Sequence, residues 1–144
     1  MNLTNVMTAI RSRLTTDTGT GGLFNAASPL LSQVYSVRAG TVSPTANYIV
    51  LNPTTVVQTD DFTNDVVDMS ISASVYMGNF DGQGDTFSTI VDRVFARLHR
   101  WTPTLTTWTA AGPMLFQDAG SPDLPDVESL QYIMNFLLKQ SKES

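Results

Sequence analysis

The sequence predicts an α+β fold: one largely antiparallel β-sheet, with an N-terminal helix and a central helix packed on one face. Two patterns carry this expectation. Residues 66–77 alternate, with Val67, Met69, Ile71, Ala73, Val75 and Met77 set against Asp68, Ser70, Ser72, Ser74 and Tyr76. That is the period of a strand covered on one side. Residues 3–16 and 86–100 instead repeat apolar side chains every three or four positions, as amphipathic helices do. The segments follow one another as helix, strands, helix, strands, which suits helices layered on a single sheet.

In chain order, Leu3, Val6, Met7, Ile10 and Leu14 form the apolar stripe of the first helix, with Arg11 and Arg13 off its centre. "DTGTGG" (17–22) ends it. Residues 34–38 and 47–52 read as strands, and 54–59 as a continuation past Pro53. "DDFTND" (60–65) is a loop or hairpin tip. The glycine-rich stretch 77–87, "MGNFDGQGDTF", is a strand-to-helix connection. Gly82 and Gly84 are expected to take positive φ there, with Asp85 as N-cap of the helix. Phe87, Ile90, Val91, Val94, Phe95 and Leu98 form that helix's apolar arc, and Arg93, Arg97 and Arg100 line its other side. Pro103 is expected to stop it. Short strands follow at 104–110 and 113–117, then a loop over 118–126. Residues 127–138 fit either period, and their aromatic content favours a strand. The polar end, 139–144, is expected to be a flexible tail on a single domain spanning 1–144.

The chain has 144 residues, no cysteine, and a net charge of −5. Thiolate metal sites and disulfides are therefore excluded. Residues 1–16 read as an amphipathic helix rather than a signal peptide, and no apolar run approaches the length of a membrane span. The expectation is a soluble, unprocessed protein. General adhesion to nucleic acid is disfavoured, because that affinity comes from neutralising phosphates. Only 15% of residues are charged, against about 25% in ordinary domains, and Thr and Ser fill the difference. Such a surface suits packing against copies of itself. The charges are also segregated. No Lys or Arg occurs from Ala39 to Asp92, where Asp60, Asp61, Asp65, Asp68, Asp81, Asp85 and Asp92 lie.

Catalytic and ligand-binding readings fail on residue type and spacing. The 77–87 stretch lacks the alternating oxygen ligands and terminal glutamate of a calcium loop. It also lacks the Lys-Ser/Thr pair of a phosphate loop. His99 is the only histidine, placed at a helix end, and no nucleophile-elbow motif is present. The prediction is no enzyme activity, no cofactor and no metal. The residues with an expected role are instead charged ones: Asp60, Asp61, Asp65 and Asp68, with Phe62 among them, and the stripe Arg93, Arg97 and Arg100. Paired between copies, the two sets would fix orientation and register. Lys139 and Lys142, in the polar end, are candidate contacts to other partners.

The order of elements resembles the tail completion family of long-tailed bacteriophages, also called tail terminator or tail-to-head joining proteins. The resemblance runs from "TTDTGTGGLF" through "VYSVRAGTVSPTANYIVLN", the strand "DMSISASVYMG" and the helix "TFSTIVDRVFARLHRW" to "PMLFQDAGSPDLPDVESLQYIMNFLLK". Asn47 stands where the family usually has proline, and 53–66 holds extra residues. The resemblance implies a virion protein at the tail end or neck, assembled in the host cytoplasm as a homo-hexameric ring. That ring would cap the tail tube and receive the head connector or stopper protein. DNA would pass through its lumen without specific binding, and no membrane would be involved. Asp60–Asp68 would then face the lumen or a neighbouring subunit. The competing readings are another neck or tail-tube component and, from a different class, a small hydrolase or ligand-binding domain with a polar pocket.

Overall fold

The computed structural model describes residues 3–37, 46–59, 64–78, 82–121 and 130–143. Two helices and six strands occur in the order α1 (Leu3–Thr15), β1 (Gln33–Ser36), β2 (Tyr48–Gln58), β3 (Asn64–Met77), α2 (Gly84–Leu98), β4 (Thr109–Ala110), β5 (Leu115–Gly120) and β6 (Leu130–Glu143). The sheet order is β1-β2-β3-β6-β4, with β5 also on β6. Only the β1–β2 pair is parallel. The fold is thus α+β with a mostly antiparallel sheet.

The alternation in β3 sets the layers. Met69, Ile71, Ala73, Val75 and Met77 are buried in one cluster with Val6, Ile10 and Leu14 of α1 and Ile90, Val94 and Leu98 of α2, and Val67 is buried on the same strand face. Leu138, Phe136 and Met134 of β6 lie opposite Met69, Ile71 and Ala73 on the same face. β2 crosses Pro53 without breaking, because the register shifts by one residue between Pro53 and Thr55. Leu51 accepts from the N–H of Val37. Its backbone therefore faces away from β3, and so does that of Pro53 two residues on, where a missing N–H costs no ladder bond.

The polar end is not a tail. Lys139–Glu143 are the last residues of β6, paired with Asn64–Asp68 of β3. Length and polarity hid this, because the partner residues lie 71 to 79 positions upstream. The 127–138 segment is a strand where it is described, from Leu130.

Helix α2 starts at Gly84, and Gln83, not Asp85, is its N-cap. Gln83 caps with its backbone alone, while its side chain ties the junction. Its Nε2 donates to the Gly78 carbonyl (2.7 Å), and its Oε1 accepts from Asn47 Nδ2 (3.1 Å). Asn47 Oδ1 accepts from the Gly78 N–H (3.2 Å). The residue that departs from the family pattern thus fastens the start of β2 to the end of β3 and the entry of α2. In this connection Gly82 takes positive φ (78°), whereas Gly84 is helical. The helix also stops well before Pro103. His99 is extended and Arg100 has φ 62°, and the Arg100 N–H and Trp101 carbonyl clamp Met114. The predicted strand 104–110 shrinks to Thr109–Ala110 after a positive-φ turn at Thr107. The next strand is Leu115–Gly120, reaching into the predicted loop.

Candidate subunit interface

The charged residues singled out in the sequence fall into two places. Asp60, Asp61 and Phe62 lie outside the described residues. Asp65 and Asp68 are on β3, directly opposite Lys142 and Lys139 of β6. Lys139 Nζ lies 3.6 Å from Asp68 Oδ1. The acidic candidates and the lysine candidates are therefore cross-strand neighbours in one chain. Alternation puts Asp65 on the helix-covered side and Asp68 on the other. Pairs of this kind contribute roughly 0.2–1 kcal/mol each.

The arginines are elsewhere, and two of the three are occupied within the chain. Arg93 makes a bidentate bridge to Asp17, with Nε 3.0 Å from Oδ2 and Nη2 on Oδ1. Asp17 is only 4% exposed and also accepts from the Leu23 N–H at 3.0 Å. Burial pushes its carboxyl upward, but the Arg93 guanidinium and the Leu23 N–H outweigh this and hold it below the usual carboxylate range. A glycine is required beside it: a Cβ on Gly22 would sit 2.4 Å from the Asp17 carbonyl oxygen. Arg97 donates to the carbonyl of Arg13, and Arg13 donates to the carbonyl of Arg97. Arg100 lies past the helix end and is exposed. Of the stripe, Arg100 alone makes no side-chain bond among the described residues.

The sequence reading missed Asp17, Arg13 and Arg11. The clue for Asp17 was a lone carboxylate opening a glycine-rich break. Arg11 Nε donates to the Val34 carbonyl (2.9 Å), fixing β1 to α1. His99 also has a task. Its Nδ1 accepts from the Phe116 N–H (3.1 Å), and its ring stacks on Phe95 at 4.7 Å. The ring nitrogen thus closes the backbone of β5. Among the described residues, no three His, Asp or Glu converge as a metal site would need, and no helix is long and apolar enough to cross a membrane.

The face of the sheet away from the helices is polar but nearly uncharged at its centre. Ser70, Ser72 and Ser74 run down β3, with Val50 and Asn52 of β2 on one side and Ile133, Asn135 and Leu137 of β6 on the other. Ser72 and Ser74 are buried by these neighbours. One end carries a ring ladder: Tyr48 stacks on Tyr76 at 4.9 Å, and Tyr35 meets Tyr48 edge-on at 5.8 Å. Gln131 Nε2 donates to the Tyr76 hydroxyl at 2.8 Å. Asp118 is engaged by Asn135 (2.6 Å). Such a face has hydrogen-bonding surface and little charge.

The architecture defines a class, a helix-backed, mostly antiparallel α+β sheet with a weakly charged face away from the helices. No family profile and no curated protein matches the chain. Among solved structures it is similar to a chain in the virion of a native gene transfer agent particle, with a TM-score of 0.75 and 19% sequence identity over 96% of this chain and 96% of that one. The two chains share a fold along nearly their whole length.

Proposed function

We propose that this chain is a non-enzymatic structural protein of a phage-type virion, acting as a tail completion subunit. It assembles as a homo-hexameric ring that caps the tail tube and joins it to the head connector. The observation that carries the virion reading is the fold shared over 96% of both chains with a gene transfer agent virion component. The element order of the tail completion family, and the low charge, support the finer assignment. In a ring, the sheet face away from the helices and the stretch of sequence with Asp60, Asp61, Phe62, Asp65 and Asp68 turn toward the lumen or the next subunit. A weakly charged or acidic lumen lets DNA slide, because it offers no cations to its phosphates. A closed head-to-tail ring needs two different complementary patches on each subunit. With Arg93 held by Asp17 and Arg97 by the end of α1, the member of the arginine stripe left for such a patch is Arg100.

Electron microscopy of lysates from a phage lacking this protein tests the assignment. Filled heads beside unattached, irregularly long tails are expected. Normal detached tails with defective filled heads would move the protein to the head side of the neck. Heads with no tubes at all would make it a tube subunit.

A further inference from the structure

A β-sheet edge presents unpaired N–H and C=O groups, and folded proteins cover them. This chain covers two of its edges with dedicated groups. On β1, the outward Val34 carbonyl accepts from Arg11 Nε, and the Val34 N–H donates to Gln33 Oε1 (3.1 Å). On β5, the outward Phe116 N–H donates to His99 Nδ1, and Met114 bonds both ways to Arg100 and Trp101. Among the described residues, β2 has no such cover at Val56. β1 ends at the level of Leu51. Thr59 donates to Val66 of β3, so alternation back along the strand turns the backbone of Val56 away from β3. Among the described residues, its N–H and C=O have no partner. The stretch Thr54-Thr55-Val56-Val57 is uncharged and β-branched, and Val57 is 49% exposed. It carries none of the lysines, and past Pro53 none of the prolines, that blunt a bare edge.

We infer that the outer edge of β2 receives an extended strand from a different virion protein, added to the sheet through backbone hydrogen bonds at Val56. This rests on the virion reading. A second copy is a poor donor. Its β1 and β5 edges are closed in the same way, and β4 has only two residues. Two β2 edges meeting each other would pair across a two-fold axis, which does not propagate a head-to-tail ring. The chemistry of the incoming segment follows from the charge map. No Lys or Arg lies between Ala39 and Asp92, and Asp60 and Asp61 follow β2 directly. The segment is extended, β-branched and neutral to basic.

The test uses particles made without this protein, supplied with purified wild-type or variant chain. Val56→Pro deletes the outward N–H, as Pro53 already does one repeat earlier. Val57→Lys adds a charge at the exposed edge and leaves the ladder to β3 intact. Both are checked for unchanged circular dichroism and self-association. Each is expected to incorporate at least about tenfold less than wild type. The natural chain has no cysteine, so Val57→Cys carrying a benzophenone maleimide reports the neighbour in restored particles, and an adduct to another virion chain is expected. Incorporation of both variants at the wild-type level, loss of self-association, or an adduct only to a second copy overturns the proposal. If wild type itself fails to join the particles, the virion reading fails and the edge proposal falls with it.

Discussion

Arg13 and Arg97 each donate to the other's main chain: Arg13 Nε lies 3.0 Å from the Arg97 carbonyl oxygen, and Arg97 Nη2 lies 2.8 Å from that of Arg13. Both stand in the last turn of their helices. Carbonyls there have no intrahelical partner, and the helix dipole is negative. Each helix thus supplies the cation that the other's end needs. The arrangement places two like charges together, and burial with the nearby Arg97 charge lowers the pKa of Arg13.

The two arginines are unequal. Arg97 gives two bonds to the Arg13 carbonyl and one to Thr16 Oγ1, whereas Arg13 gives one and lies over the Trp101 ring at 5.5 Å. Arg97→Ala is expected to lower unfolding free energy by about 2 kcal/mol and Arg13→Ala by about 1. The double variant should cost more than the sum by a few tenths of a kcal/mol, because each single variant already relieves the mutual repulsion. Urea unfolding of the four proteins measures all three values. An Arg97→Ala variant as stable as wild type would show that the clasp is decorative.

Asp17 gives the chain an acid-sensitive joint. Its carboxyl is held below the usual range in the folded protein by Arg93 and the Leu23 N–H, against the opposing effect of burial. A depressed folded pKa stabilises above the unfolded value, about 3.9, and that stability is lost as pH falls through the folded value. Wild type should therefore lose stability on acidification below about pH 4. Asp17→Asn should be weaker at pH 7, by on the order of 1–2 kcal/mol because Arg93 stays partly solvated, with a flatter profile at acid pH. Thermal melts of both proteins from pH 7 to 3 compare the slopes. Parallel curves would remove Asp17 from the acid response.

Much of the fold was legible because its elements announce themselves locally. The period-two run 66–77 and the helix arc Ile90, Val94, Leu98 need only one strand or helix to be read. What stayed hidden depends on distant partners. The polar stretch Lys139–Glu143 is a strand only because Asn64–Asp68 lie beside it. The stripe Arg93, Arg97 and Arg100 was visible as a stripe, but nothing in its spacing says that Asp17 takes the first and the end of α1 the second. Asp65 and Asp68 were likewise visible as acidic, and their opposition to Lys142 and Lys139 came only with the register of β3 on β6. Asp85 satisfied the composition rule for an N-cap, yet the start of α2 is set two residues earlier, at Gln83, whose side chain is tied to Asn47.

Arg100 separates the subunit-interface idea from helix packing. Reversing Arg93 or Arg97 would first break bonds inside the chain, so weakened assembly would not identify an interface. Arg100 is exposed, and its backbone alone holds Met114. Arg100→Glu should leave the melting temperature within about 2 °C of wild type while weakening self-association, read by mass photometry across salt concentrations. Salt should weaken the wild-type assembly in the same direction. Unchanged assembly in the variant would remove arginine pairing from the ring contact.

Gln140 tests how the far end of the sheet is held. It lies on the core face of β6, opposite Val67 of β3 and Ala110 of β4, and is fully buried. Among the described residues, neither its Oε1 nor its Nε2 has a hydrogen-bond partner. A buried amide without partners carries its desolvation cost uncompensated, on the order of 1–3 kcal/mol. Its neighbours in register, Leu138 and Met69, show that the same face accepts unbranched and branched apolar chains of similar size. Gln140→Leu and Gln140→Met should therefore stabilise the isolated chain, by about 1–2 kcal/mol, rather than destabilise it. Urea unfolding gives the sign directly. Destabilisation by both variants would mean that a water or another group satisfies the amide in solution. Stabilisation of the isolated chain combined with poorer incorporation into particles would show that the amide is kept for a contact formed only in the assembly.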